Sequence, residues 1–133
     1  MVEPNNESLK DIRILVVEDE RDAREIVKFV LEQRGAAVVA VPSVEEALEA
    51  YKGIEPHIVV ADIGMPDFNG YALISQIREE DRTLGKVTPA IALTAYTSPA
   101  DRETALASGF QEYISKPFDP AVLIAAVSKL VHA

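Results

Sequence analysis

Ile58-Val59-Val60-Ala61-Asp62 sets four apolar residues ahead of one carboxylate. A run this short and this uniformly apolar reads as a strand buried on both faces. Ile14-Leu15-Val16-Val17 repeats the pattern and ends in Glu18-Asp19. Ala90-Ile91-Ala92-Leu93 ends in Thr94, and Lys116 follows soon after Tyr113-Ile114. In an open parallel sheet such ends share one edge, and ligands bind just outside it.

The segments between these runs have helical spacing. Ala23, Ile26, Val27, Val30 and Leu31 mark one face of a helix over 20–34, and Gly35 stops it. Ser43 with Glu46 is a capping box, opening a helix that turns Val44, Ala47, Leu48 and Tyr51 inward and ends at Gly53. Leu73, Ile74 and Ile77 mark a third helix over 71–80. Ser98-Pro99 opens a fourth that runs to Ser108, and Asp119-Pro120 opens a fifth with Leu123, Ile124, Val127 and Leu130 inward. Strands are expected at 12–17, 37–41, 58–61, 90–93 and 112–115. Five strands alternating with five helices predict an α/β fold, a doubly wound five-stranded parallel sheet with right-handed crossovers. Residues 1–10 read as a flexible tail or linker, and 11–133 as one domain.

The 133 residues are 48% hydrophobic and 26% charged, an ordinary globular balance. A net charge of −9 argues against direct nucleic-acid binding, which needs a basic patch. It suits a cation or a basic protein face. The absence of cysteine excludes disulfides and thiolate metal sites. No apolar run reaches the roughly 18 residues of a membrane span, and no signal-peptide core opens the chain, so the expected location is cytoplasmic, with no membrane segment within this chain.

Glu18, Asp19 and Asp62 would gather three negative charges at the sheet edge against the one positive charge of Lys116. Carboxylates so close raise one another's pKa unless a cation intervenes. Mg²⁺ would serve, since it takes oxygen ligands and commonly one or two carboxylates plus a phosphate. A carboxylate is also a nucleophile toward phosphorus, giving an acyl phosphate. Lys116 and the ion are suited to clamp the moving phosphoryl group, and the Thr94 hydroxyl to donate to one of its oxygens.

On these residues the chain resembles the receiver domain of two-component response regulators, of the chemotaxis-regulator type. The matching stretches are Ile14-Leu15-Val16-Val17-Glu18-Asp19, Asp62-Ile63-Gly64-Met65-Pro66, Asn69-Gly70, Leu93-Thr94-Ala95 and Lys116-Pro117-Phe118. Each is weak alone; five in order make a specific signal over residues 11–131. The resemblance implies a flavodoxin-like (βα)5 sheet of order 2-1-3-4-5, with Asp62 as phosphoacceptor. It implies Mg²⁺ at Asp19, Asp62 and the Gly64 main-chain carbonyl, with Glu18 acting through water. It also implies Lys116 and Thr94 as phosphate-binding groups, Thr94 and Tyr113 as the switch, and a cis bond before Pro117. The expected partner is a histidine kinase or histidine phosphotransfer domain, with the output partner open. The stretches around Asp62 and Lys116 look most like receivers of hybrid histidine kinases.

Glu18 stands where many members have Asp, and the small Gly64 and bulky Tyr96 occupy positions that modulate phosphoryl lifetime in the family. The chain is expected not to be an enzyme beyond its own phosphorylation and dephosphorylation. The alternative functions are an unphosphorylated pseudo-receiver used for docking, and a small aspartyl-phosphate phosphatase similar to haloacid dehalogenase relatives. The latter carry a second Asp two residues after the nucleophile, where this chain has Gly64.

Overall fold

A computed structural model describes residues 8–63, 70–95 and 98–132 of the chain. Five strands, β1 (Arg13–Val17), β2 (Ala37–Val41), β3 (Ile58–Asp62), β4 (Ala90–Thr94) and β5 (Glu112–Ser115), form one parallel sheet in the order β2-β1-β3-β4-β5. Five helices connect them: α1 (Arg21–Glu32), α2 (Val44–Ile54), α3 (Gly70–Leu84), α4 (Pro99–Ser108) and α5 (Pro120–Val131). This is the five-stranded, doubly wound, flavodoxin-like architecture expected from the sequence.

Strand residues alternate between two cores, because successive side chains leave a strand on opposite faces. Ile14, Val16, Ile58, Val60, Ile91, Leu93 and Ile114 pack with Val27 and Leu31 of α1 and with Leu123 and Val127 of α5. Leu15, Val17, Val59, Ala61, Ala90 and Ala92 pack with residues of α2, α3 and α4. The central strands β3 and β4 are buried at every position, whereas the edge strand β2 is only partly covered. Each large apolar side chain so enclosed contributes roughly 1.5–3 kcal/mol.

The alternation has a consequence at the edge. The positions Glu18, Asp62 and Lys116 continue the series 14-16, 58-60 and 114, so all three fall on the α1/α5 side. Thr94 continues the series 90-92, and Tyr113 packs in the opposite core, so these two belong to the α3/α4 side. Register then aligns the strand ends: Val17 lies opposite Ala61, Asp62 opposite Leu93 and Thr94 opposite Ser115.

Three expectations are revised. The folded unit starts before Asp11: Leu9 is 0% exposed, its N–H donates to Arg34 O at 2.8 Å, and its carbonyl accepts from Ile12 N. An apolar side chain near a polar terminus found a gap between α1, β1 and α5. Ile26, assigned to the inner face of α1, is 57% exposed, and Val27 and Leu31, with Val30 beside them, cover the sheet there instead. Finally, α3 continues to Leu84 rather than stopping at 80, since Asp81 has buried partners that keep another turn wound.

Candidate functional site

Each site residue is delivered by a strand end. The β1 strand stops at Val17, and Glu18 N still donates to Val41 O across to β2 at 3.0 Å. The chain then turns into α1. The N-cap of that helix is Glu20, whose carboxylate accepts from Asp22 N and Ala23 N. With Glu20 as the cap, Glu18 and Asp19 are both left to the sheet edge. Those two N–H donors, first Ala23 and then Asp22, hold the exposed Glu20 carboxyl below its usual range.

The centre of the site is an ion-pair triad. Lys116 Nζ donates to Glu18 Oε1 at 2.7 Å and to Asp62 Oδ2 at 2.5 Å. Glu18 and Asp62 are both buried. Burial first, and the neighbouring Asp62 carboxylate as well, push the Glu18 carboxyl up despite Lys116. Burial alone would lower the Lys116 ammonium, yet the two carboxylates outweigh it and hold it above its ordinary value. Lys116 is placed by the sheet: its N–H donates to Thr94 O at 2.8 Å, extending the β4–β5 ladder by one residue, and the Lys116–Pro117 bond is cis.

Asp19 stands apart from the triad. Its Oδ1 is buried and has no hydrogen-bond partner among the described residues. An unpaired buried carboxylate oxygen is costly, so it marks a place for a donor or a cation. Among the described residues, no three His, Asp or Glu side chains converge as a complete metal cage. Mg²⁺ does not require one, because it keeps several waters and is usually held by one or two carboxylates beside a phosphate. The unpaired oxygen of Asp19, with Asp62 at the same edge, fits that donor chemistry.

Thr94 is fully buried, and Tyr113 is buried with a hydroxyl that lacks a partner among the described residues. Burial, with Asp101 close by, pushes the Tyr113 phenol up. Gly64, Met65, Pro66, Asn69 and Tyr96 lie outside the described residues. The flanking Ile63 is fixed by its N–H to Leu93 O at 2.9 Å.

Two features escaped sequence reading. Arg24 Nη1 donates to Glu18 O at 3.0 Å, tying the acidic turn to α1. Its place within an α1 face of mixed character gave no signal. At the other edge of the sheet, Asp81 accepts from Tyr51 OH, from Arg78 Nη1 at 2.9 Å and from Thr88 N at 2.7 Å, while Arg78 Nη2 reaches Gly109 O at 2.6 Å. Burial and then Asp81 push the Tyr51 phenol up to about 12. At that same edge the half-buried His57 accepts through Nδ1 from Arg13 N at 2.9 Å.

Comparison with known proteins agrees with this geometry. The family model described as the response regulator receiver domain matches residues 14–128. A 14.6 kDa protein from the region 3′ of sodA1 in Leptolyngbya boryana, itself uncharacterized, is 42% identical over 92% of each chain. The phosphate regulon transcriptional regulatory protein PhoB of Escherichia coli is 35% identical over 90% of this chain and 52% of its own length. The chain thus spans about half the length of several curated relatives it matches. Among solved structures, chemotaxis response regulator CheY4 of Vibrio cholerae superposes with a TM-score of 0.80 at 25% identity, covering 90% of this chain and 98% of that one. A putative response regulator from Chloroflexus aurantiacus gives 0.84 at 27% identity, covering 93% and 100%. With its sheet order, its strand-end acids and nearly its whole length accounted for, the chain belongs to the response regulator receiver domain family.

Proposed function

We propose that this receiver accepts a phosphoryl group on Asp62 from the phosphohistidine of a histidine kinase or a histidine phosphotransfer domain. The observation that carries the reading is the Lys116 ammonium held between Glu18 and Asp62 at the carboxyl edge of a parallel sheet. A carboxylate oxygen of Asp62 forms the new O–P bond, the P–N bond breaks, and the imidazole leaves. As the group arrives, Lys116 exchanges a carboxylate contact for one to a phosphoryl oxygen, a charge-assisted hydrogen bond of similar strength. Asp19, Asp62 and the Gly64 carbonyl would hold Mg²⁺, with Glu18 acting through water. When bound, the ion neutralises charge on the phosphoryl oxygens.

Thr94 lies one strand over from Asp62, and its hydroxyl is the group to donate to the acyl phosphate. Tyr113 shares the Thr94 side of the sheet, and its hydroxyl, without a partner among the described residues, gives it reason to change rotamer. The α4–β5–α5 surface would then report the state to an output partner, a population shift driven by the new hydrogen bonds. The chain catalyses nothing beyond making and losing its own phosphoryl group.

The test is intact mass after incubation with acetyl phosphate and Mg²⁺, for the native chain and Asp62→Asn. A gain of one phosphoryl group in the native chain only, abolished by EDTA, is expected. An equal gain in both would move the acceptor elsewhere, and a gain in neither, even with phosphohistidine donors, would leave a docking pseudo-receiver.

A further inference from the structure

Arg24 touches the acidic turn twice. Its guanidinium donates to Glu18 O at 3.0 Å, and its own N–H donates to Glu20 O at 2.9 Å. Asp19 is the residue between those two carbonyls. Both ends of the three-residue turn are therefore fastened to one side chain and one amide of α1.

Something must hold Asp19 where it is. One of its carboxylate oxygens is buried without a hydrogen-bond partner among the described residues. A turn free to relax would rotate that oxygen into water, since an unmade bond in a buried site is unfavourable. Glu18 is separately anchored, by its N–H to Val41 O, by Glu20 N donating to its Oε2 and by Lys116 on Oε1. Of those contacts only the Glu20 N–H lies beyond Glu18, on the peptide after Asp19, and none of them takes the Glu18–Asp19 peptide itself. The guanidinium does, because it takes the carbonyl of the Glu18–Asp19 peptide. Half-buried between helix and turn, it also suits a planar donor better than a flexible ammonium.

We infer that Arg24 is a positioning residue, which locks the Glu18–Asp19 peptide so that the Asp19 carboxylate faces a divalent cation already aligned. The inference rests on the proposed function, since it assigns Arg24 a task in that same site. Charge alone predicts the reverse. A guanidinium near a cation site repels the cation, so neutralising it would tighten binding. Positioning predicts that the same change weakens binding. Groups that orient a metal ligand from behind typically matter by about 10-fold or more in affinity.

The experiment is calorimetric titration of the full chain with MgCl₂, for the native protein, Arg24→Met and Arg24→Lys, with a thermal melt of each in EDTA. The native chain should bind. Arg24→Met should raise the dissociation constant by about 10-fold, and Arg24→Lys, which retains a donor and the charge, should recover part of the loss. Unchanged or tighter binding in Arg24→Met overturns the inference and leaves the proposed function standing. A lower melting temperature with unaltered affinity overturns it as well, since that is the mark of a structural role alone. Absence of binding in the native chain overturns the proposed function, and the role of Arg24 falls with it. Should Arg24→Met not fold, Arg24→Gln, polar and neutral, reads the same two signs.

Discussion

Lys116 Nζ lies 2.7 Å from Glu18 Oε1 and 2.5 Å from Asp62 Oδ2, so one ammonium from the end of β5 compensates two carboxylates from the ends of β1 and β3. The two acids are 2% exposed. Removing one partner of such a group leaves uncompensated buried charge, which costs roughly 3–5 kcal/mol. Lys116→Met should lose stability of that order in urea unfolding without divalent cations, and Mg²⁺ should restore part of it. Stability equal to the native chain would mean that the triad does not hold the strand ends together.

Gly70 opens α3 against Ile63, the neighbour of Asp62. A Cβ at Gly70 would collide with Ile63 Cγ2, whereas one at Gly53 meets nothing within 4 Å. Gly70→Ala should cost about 1–3 kcal/mol through overpacking and should slow phosphorylation of Asp62 by displacing Ile63. Gly53→Ala in α2 should instead stabilise by about 0.5–1 kcal/mol. Similar melting shifts for the two would contradict this local account.

The polar knot at the far edge sets an acid limit. Burial would raise the Asp81 carboxyl, but donors from Thr88 and Tyr51 and the Arg78 charge outweigh it and hold it below its ordinary 3.8. A depressed carboxylate stabilises the fold fully above its unfolded pKa, and the contribution is lost as pH falls through the lower folded value. Asp81→Asn should therefore be less stable at neutral pH, with a shallower decline below about pH 4 in a series of urea titrations. Tyr51→Phe, which deprives Asp81 of one donor, should cost about 1–3 kcal/mol. A decline of native steepness in Asp81→Asn would assign acid sensitivity to other groups.

Leu9 is fully buried four residues before β1 begins at Arg13, in a polar stretch of the chain. Leu9→Ala should cost about 2–5 kcal/mol, the range for emptying a core leucine site. A loss within a few tenths of a kcal/mol, by urea unfolding, would return residues 8–10 to the tail.

Leu9 and Asp81 also show where the sequence stopped being legible. The strands could be read because burial on both faces forces unbroken apolar runs, and the polar residues ending them stood out for that reason. Glu18, Asp62 and Lys116 were found this way, and parity along the strands then explains why they share a side. Leu9 gave no such signal, since a lone apolar residue in a polar stretch has no period. Nothing in the sequence separates Asp81 from the other acids at the end of a charged helix. Its partners Tyr51 and Thr88 are 30 and 7 residues away, and only the fold brings them together. Arg24 was hidden for a similar reason: its contact is to a main-chain carbonyl, which no side-chain pattern reports.

The central claim is that Asp62 carries the phosphoryl group, and reductive trapping tests it most directly. Borohydride reduces an acyl phosphate to an alcohol, so a phosphorylated aspartate becomes homoserine. After reaction with a phosphohistidine donor and Mg²⁺, borohydride treatment and peptide sequencing by mass spectrometry should place homoserine at position 62 and at no other acid. Homoserine at Glu18's neighbour Asp19, or intact Asp62 in a chain that has gained a phosphoryl group, would contradict the account.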